Sequence, residues 1–366
     1  MNVVEITIYR FRLKLKRPLK INTAVLNFRE GFVIRMADDS RSCGWGEVCP
    51  LIEFSRENTT QAGNELADLP SLLTGRGIPL DIESLDGGFE DWLGGFNFSA
   101  SVRFGVESAV LNLMAASRRQ GLHRLLDEGA AAAIAVNGLL TGTRKQVEER
   151  ANAMFKKGYR AFKLKVGRMP MDEDIDRIAG VRKIIGPDAL LRLDANRAWS
   201  INETLKFMDL AVKFNVDYIE EPVEGFIPLQ KMVHEYHLPI GVALDESLLE
   251  ISPQEVPRLP SLRAVVIKPM LLGFEQAVRY SRAATRMGIT PVISSAFESS
   301  LGVLTLASMA AATTGGRTPV GLDTLDWLED DLLEPPLRVR SGNIFLSDDQ
   351  CRMQTVKTEL LEEFAR

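Results

Sequence analysis

The sequence predicts an α/β fold in which a closed barrel of parallel strands carries a second, β-rich region. Three observations predict it. From about residue 134 onward, eight short apolar runs alternate with helix-like or shorter connections. Alternation at that spacing makes a parallel sheet, and eight repeats close it into a (β/α)₈ ring. Before that point the texture differs, because residues 1–50 alternate apolar and polar side chains with no helical connections. Finally, five consecutive runs end in ionisable residues, and active sites of barrels sit at the carboxyl ends of their strands.

The first strand covers residues 4–15, where Tyr9, Phe11, Leu13 and Leu15 alternate with Arg10, Arg12, Lys14 and Lys16. The alternation puts the four cations on one solvated face; a phosphate-binding role is the lesser alternative. A second strand follows around "GFVIRM", and "GWGEVCPLIEFS" (44–55) reads as a loop after a strand. Helical spacing of apolar residues predicts helices over 58–73 and 100–127, and "EGAAAA" (128–133) marks a boundary.

The eight runs are "AIAVNGLL", "AFKLKVG", "LLRLDAN", "VDYIEEP", "IGVALDES", "AVVIKP", "TPVISSAF" and "TPVGLDT". Helices are expected between them at 143–157, 171–185, 200–214 and 274–287, and another starts at the serines of "FESSLGVLTLASMAA". Beyond 325 the chain turns acidic, makes a strand-like segment at "LRVRSGNIFLS" and ends in a charged helical tail expected to return to the β-rich region.

Net charge is -5, which argues against nucleic acid or an anionic membrane as the main partner. Cys43, Cys49 and Cys351 show no CxxC spacing and suit a reducing compartment. No apolar run approaches ~18 residues, and the start lacks an apolar signal core. These features favour a cytoplasmic protein; the oligomeric state is open.

The ionisable strand ends carry the chemistry. In chain order they are Lys163 and Lys165, Asp194, Glu220 with Glu221, Asp245 with Glu246, and Lys268. Any one alone reads as a satisfied charge in a loop network. Five strands in succession read otherwise, because in an eight-stranded ring strands two and six lie opposite, with three, four and five on the arc between. Asp194, Glu220 and Asp245 are therefore expected to converge on one side of the mouth, with Lys165 and Lys268 facing each other across it. Three neighbouring carboxylates need a counter-charge. With no histidine or thiol among them they suit a hard divalent cation, Mg²⁺ best and Mn²⁺ as an alternative.

A free lysine is only about 0.1% neutral near pH 7.4. A nearby divalent cation, the second ammonium of Lys163 and partial desolvation all disfavour the charged form, so Lys163 is expected to help make Lys165 a usable base. A base on one face, a cation on the other and a metal between suit removal of a proton α to a carboxylate, with the metal holding the enediolate. The partner is then a small-molecule carboxylate.

Together "KLKVG", "LRLDANRAW", "IEEP", "LDES", "IKP" and "SSAFESSLG" resemble the enolase superfamily, and within it the muconate-lactonizing-enzyme-like group. A lysine or histidine base working with Mg²⁺ is an established pattern there. Finer features resemble the o-succinylbenzoate synthase family: "GWGEVCPLIEFS", "SVRFGVESA" and "GLDTLD" at 321–326. The resemblance implies a modified (β/α)₇β TIM-like barrel (130–325) under an α+β capping domain (1–129), with 326–366 returning to the cap.

It further implies Asp194, Glu220 and Asp245 as Mg²⁺ ligands, the first glutamate of "IEEP" being chosen. Lys165 would be the acid/base and Lys268 the opposing stabiliser. Ser294, Ser295 and Gly321 would receive a succinyl carboxylate, largely through backbone N–H groups and serine. Asn137, Arg192 and Asn196 would support the site. The implied reaction is dehydration of a hydroxy-cyclohexadiene carboxylate bearing a succinyl arm to o-succinylbenzoate, for menaquinone. The same mechanism on another substrate would be N-acylamino-acid racemisation or dipeptide epimerisation. Glu53 departs from the pattern, where a smaller residue is expected. His123, His234 and His237 are expected to be structural or exposed, which excludes the branch that pairs a lysine with a histidine base.

Overall fold

The computed structural model describes residues 1–21, 23–348 and 355–366; Cys351 lies outside the described residues. The chain opens with a long hairpin, β1 (Val3–Ile21) and β2 (Ala24–Asp38), followed by β3 (Cys43–Val48). On β1, Phe11, Leu13 and Leu15 are buried while Arg10, Arg12, Lys14 and Lys16 are exposed, as alternation requires. Helix Ala100–Ser117 crosses β3 at very close range. A Cβ at Gly44 would lie 2.1 Å from the Ala109 carbonyl oxygen, and one at Gly46 would lie 1.9 Å from that of Gly105. The "GWG" spacing is thus a packing requirement between sheet and helix.

A short strand, β4 (Ala133–Ala135), precedes seven parallel strands: β5 (Asn137–Leu140), β6 (Ala161–Lys165), β7 (Leu190–Asp194), β8 (Tyr218–Glu220), β9 (Gly241–Leu244), β10 (Leu262–Ile267) and β11 (Thr290–Ile293). They lie side by side in chain order. The connecting helices start where capping signals predict: the hydroxyls of Thr143 and Ser200 accept from the third residue of their helices, and Gln146 and Glu203 reciprocate. Only 3₁₀ turns join β9 to β10.

The eighth run is not a regular strand. Val320 and Gly321 close the ring as isolated parallel bridges, to Val136 and to Ser294. Val320 N–H donates to the Ala135 carbonyl at 2.8 Å, and Gly321 N–H donates to that of Ile293 at 2.9 Å. Pairing then stops because the Asp323 carboxylate takes the Leu139 N–H, at 3.0 Å, that a strand carbonyl would otherwise accept.

The rest of the chain departs from expectation at two places. "AIAVNGLL" divides: β4 pairs antiparallel with β13 (Asn343–Phe345), while β5 joins the ring. Before β13 comes β12 (Leu333–Glu334), paired with β14 (Thr355–Val356). Among the described residues, 355–366 of the charged tail form no α-helix. After a 3₁₀ turn it forms β15 (Leu361–Ala365), antiparallel to the outer edge of β1. An unpaired edge offers a ladder of hydrogen bonds that outweighs the helical bias of a short charged segment, and the Phe364 ring docks 5.0 Å from Phe32.

Candidate active site

Every ionisable strand end reaches the same end of the ring. Lys165, Asp194 and Glu220 are the last residues of β6, β7 and β8, while Asp245 and Lys268 directly follow β9 and β10. Register puts Lys163 beside Arg192, Lys165 beside Asp194, and Asp194 beside Glu220. The strand order places Lys165 at ring position two and Lys268 at position six, with the acids on the arc between.

A cavity of about 320 Å³ opens at this end. Lys163, Lys165, Asp194 and Lys268 line it, with Asn137, Asn196, Ser294, Ser295 and Gly321. Glu220 and Asp245 are buried beneath Lys163 and Lys268, which they touch. Arg192 does not line the cavity. It lies one rung deeper, holding the Asn137 side-chain oxygen at 2.9 Å and the Pro319 carbonyl at 2.8 Å.

Each acid meets an ammonium. Lys165 Nζ is 2.6 Å from Asp194 Oδ2 and 2.7 Å from Asn196 Oδ1. Lys163 Nζ spans Glu220, at 3.1 Å, and Asp194, at 3.4 Å. Lys268 pairs with Asp245 and lies over the Phe54 ring. Burial alone would raise Asp194, but the ammoniums of Lys165 and Lys163 hold it well below the usual carboxylate range. Burial raises Glu220 strongly, and the Asp194 charge adds to that shift. Burial would lower Lys163 and Lys268, yet the acids around them keep both well above the usual lysine range. Lys163 thus stands as a fixed cation beside Lys165.

The acids do not converge as expected. Among the described residues, no three His, Cys, Asp or Glu side chains are drawn together as a metal cluster. The lysines occupy the intervening space, with Asp194 meeting two ammonium groups and Glu220 and Asp245 one each. The donor set still fits a hard divalent cation: three buried acids on adjacent strands, with Glu220 raised by burial and further by repulsion from Asp194 and Asp245.

Glu221, the second glutamate of "IEEP", plays a different part. It accepts from the N–H groups of Asp245, at 2.7 Å, and Ser247, at 2.8 Å, and so shapes the loop after β9. Glu220, the first of the pair, is the one that meets Lys163.

The expected carboxylate receptor is already engaged. Ser294 N–H donates to Ile267, Ser295 N–H to Gly321, and Gly321 N–H to Ile293, all within the ladder. Ser295 Oγ donates to Glu298 at 2.6 Å and contacts Thr324 Oγ1 at 2.9 Å. Only the Ser294 hydroxyl is loosely held, 3.4 Å from the Gly321 carbonyl.

Several wall residues escaped sequence reasoning. Leu51 and Phe54 come from the loop after β3, Arg168 follows β6, and Asp323, Thr324 and Trp327 follow the eighth position. "GLDTLD" was the available signal for the last group. Glu53 turns away from the cavity: with φ at 66° its carboxylate reaches the backbone N–H and hydroxyl of Thr23, joining the two cap loops. His234 and His237 are exposed, and His123 is buried in the helix before β4.

A family profile described as "Enolase C-terminal domain-like" matches residues 146–350, and one described as "MenC, N-terminal domain" matches residues 3–76. The chain belongs to the enolase superfamily. More particularly, it is similar to o-succinylbenzoate synthases: that of Pasteurella multocida is 30% identical over 90% of this chain and 91% of its own, and that of Pectobacterium atrosepticum is 31% identical over 90% and 93%. Protein PHYLLO, chloroplastic, of Arabidopsis thaliana is 32% identical over 95% of this chain, which spans only 23% of that protein. Among solved structures, muconate lactonizing enzyme from Pseudomonas fluorescens, complexed with muconolactone, superimposes with a TM-score of 0.85 at 20% identity, covering 98% of each chain. A dipeptide epimerase from Enterococcus faecalis, complexed with Mg and L-Leu-L-Tyr, gives 0.82 at 20% identity over 95% and 98%. At such identities the likeness is one of fold.

Proposed function

We propose that the protein is a Mg²⁺-dependent o-succinylbenzoate synthase. In this reading it is a lyase that dehydrates 2-succinyl-6-hydroxy-2,4-cyclohexadiene-1-carboxylate in menaquinone biosynthesis, in the cytoplasm. The observation that carries the reading is the pair Lys165 and Lys268 at opposite ring positions of one cavity, with three buried acids on the arc between. The synthase relatives, matched along nine-tenths of their length, support the choice of substrate.

Asp194, Glu220 and Asp245 would hold Mg²⁺, or Mn²⁺ in its place. Bound there, the cation supplies the positive charge that the ammonium groups supply in this structure, and lowers the energy of charge building on the substrate's carboxylate oxygens. Lys165, released from Asp194, takes the proton α to the ring carboxylate. Asn196 fixes where its Nζ sits, and Lys163 keeps a positive charge beside it. Lys268 offers its charge from the opposite wall. The β-hydroxyl then leaves from the face that Lys165 occupies, and the same ammonium returns its proton to make water. Aromatisation drives this second half, so the site need not stabilise it further. Phe54 and Leu51 add apolar wall to the cavity in which this takes place.

A second reading, N-acylamino-acid racemase or dipeptide epimerase, is favoured by the same two lysines, since an amine on either side of an α-carbon can exchange its proton. The deciding experiment incubates the Mg²⁺-loaded protein with the cyclohexadiene substrate and follows o-succinylbenzoate. Formation of the aromatic product supports the synthase. Its absence, together with solvent deuterium entering an N-acylamino acid, moves the assignment to the second reading.

A further inference from the structure

The wall expected to receive the substrate's second carboxylate has all its donors committed except the loosely held Ser294 hydroxyl. The backbone N–H groups of Ser294, Ser295 and Gly321 serve the barrel ladder, and the Ser295 hydroxyl serves Glu298. One strong donor nearby is not committed. Trp327 lines the same cavity and is 7% exposed, yet its indole Nε1 is buried without a hydrogen-bond partner. Buried N–H groups are nearly always satisfied, and an orphan one marks a place where a ligand can supply the acceptor.

The ring is held firmly. Phe297 meets it edge-on, with centroids 5.4 Å apart and planes at 85°. The Arg17 guanidinium lies 3.9 Å above its face. Cap and barrel are tied directly after it: Leu15 bridges Leu328, Glu329 N–H donates to the Lys14 carbonyl at 2.9 Å, and Lys14 pairs with Glu329 at 2.8 Å. Arg17 makes no ion pair among the described residues, and the residues that follow it, Pro18 and Leu19, line the cavity. A cation on the face of an indole is attracted by its electrons and makes the N–H a better donor. The corner therefore combines an unused donor with a guanidinium that makes no close ion pair and feels the Asp323 and Asp326 carboxylates only at longer range, so an anionic acceptor would find both an N–H and a cation there.

We propose that Trp327 sets specificity: its indole N–H donates to the far carboxylate of the succinyl arm, with Arg17 on its face supplying positive charge at that corner. The proposal rests on the synthase reading, because only an arm with a terminal carboxylate uses this donor.

The test uses the Mg²⁺-loaded full chain, wild type and Trp327→Phe, with two ligands. One is the product, o-succinylbenzoate; the other is 2-butyrylbenzoate, whose arm ends in a methyl group. The chain has four tryptophans, so its indole N–H resonances are few, and the one missing in the variant belongs to Trp327. We expect that resonance to shift downfield with o-succinylbenzoate and to stay in place with 2-butyrylbenzoate. In the variant, KM and the Kd for o-succinylbenzoate should rise about tenfold, the size of a hydrogen bond to a charged acceptor, with kcat within about twofold. Binding of 2-butyrylbenzoate should not change. An unmoved Trp327 resonance in an active wild-type enzyme overturns the proposal, as does equal weakening of both ligands. A wild type that neither forms nor binds o-succinylbenzoate overturns the synthase reading itself, and this inference with it, before any variant is made.

Discussion

At the barrel mouth, Asp194, Glu220 and Asp245 are each met by a lysine ammonium. At the seam between cap and barrel, buried acids are met instead by backbone N–H groups where helices begin. Glu47, on β3, accepts from Ser299 at 3.0 Å and Gly302 at 2.9 Å at the start of helix Ser300–Thr314. Glu107, in the cap helix Ala100–Ser117, accepts from Glu275 N–H at 3.0 Å at the start of Phe274–Arg286, and it alone of these acids also meets a cation, Arg103 at 3.2 Å. Glu275 in turn accepts from Gly87, Phe89 and Glu90 of the cap. Orphan N–H groups and the positive end of the helix dipole make each pairing favourable. The two regions bury the same chemistry for different ends. Ammonium groups can yield their carboxylates to a metal or move a proton; helix starts can only hold. Charge at the mouth is therefore exchangeable, and charge at the seam is structural.

The strongest test of that contrast is metal removal. Exhaustive treatment with EDTA should reduce turnover to background and Mg²⁺ should restore it, while far-ultraviolet circular dichroism stays unchanged because the lysines still neutralise the mouth. Persistent activity after complete metal removal would refute the role given to the three acids.

Next in size are the lysines. Lys165→Ala should cut kcat by about 10²–10⁴-fold, the usual contribution of a positioned base, and Lys268→Ala should do the same from the other wall. They should differ in stability. Asp194 keeps Lys163 when Lys165 is lost, whereas Asp245 loses the ammonium that pairs with it when Lys268 goes. Leaving a buried charge without its partner is costly, so thermal melting in EDTA should fall further for Lys268→Ala than for Lys165→Ala. Equal melting of the two variants would count against this account of the mouth.

The mouth was legible in the sequence and the seam was not, for a physical reason. Strand ends fall at a fixed spacing, so a run such as "KLK" or "LDAN" announces both its element and its direction. Lys165, Asp194, Glu220, Asp245 and Lys268 could be placed from the chain alone. What each carboxylate touches depends on what shares the space, so the lysine pairing of the acids was missed. Glu47 carries no local pattern, because its partner lies 252 residues away; Glu107 shows only its pairing with Arg103 one turn back, while the N–H that it receives lies 168 residues away. The tail failed for a related reason: its helical bias is local, but the edge of β1 that captured it is remote in sequence. Trp327 stood beside a recognised stretch, yet an unpaired N–H can be found only once its surroundings are known.

The smallest expected effect concerns the seam, and its sign separates the two regions. Burial pushes Glu47 and Glu107 each up to about 7, against the hydrogen bonds they accept and, for Glu107, the Arg103 charge. Between pH ~4.5 and 7 the folded chain then holds protons that the unfolded chain releases. The stability tied to these groups is fully present below the unfolded value and is lost as pH rises through 7. Over that window the loss is at most roughly 3 kcal/mol per group. Burial likewise raises Glu298 and Asp331, which act in the same direction. Asp194 behaves oppositely, since its lowered value makes its contribution present above the unfolded value and lost only in acid. Urea midpoints measured from pH 5 to 8 should decline for the wild type. The decline should be shallower for Glu107→Gln, which cannot titrate, whatever that substitution does to stability at any single pH. Parallel profiles would mean that Glu107 keeps its charge throughout, and that Arg103 and the helix start at Glu275 together neutralise it as fully as the lysines neutralise the mouth.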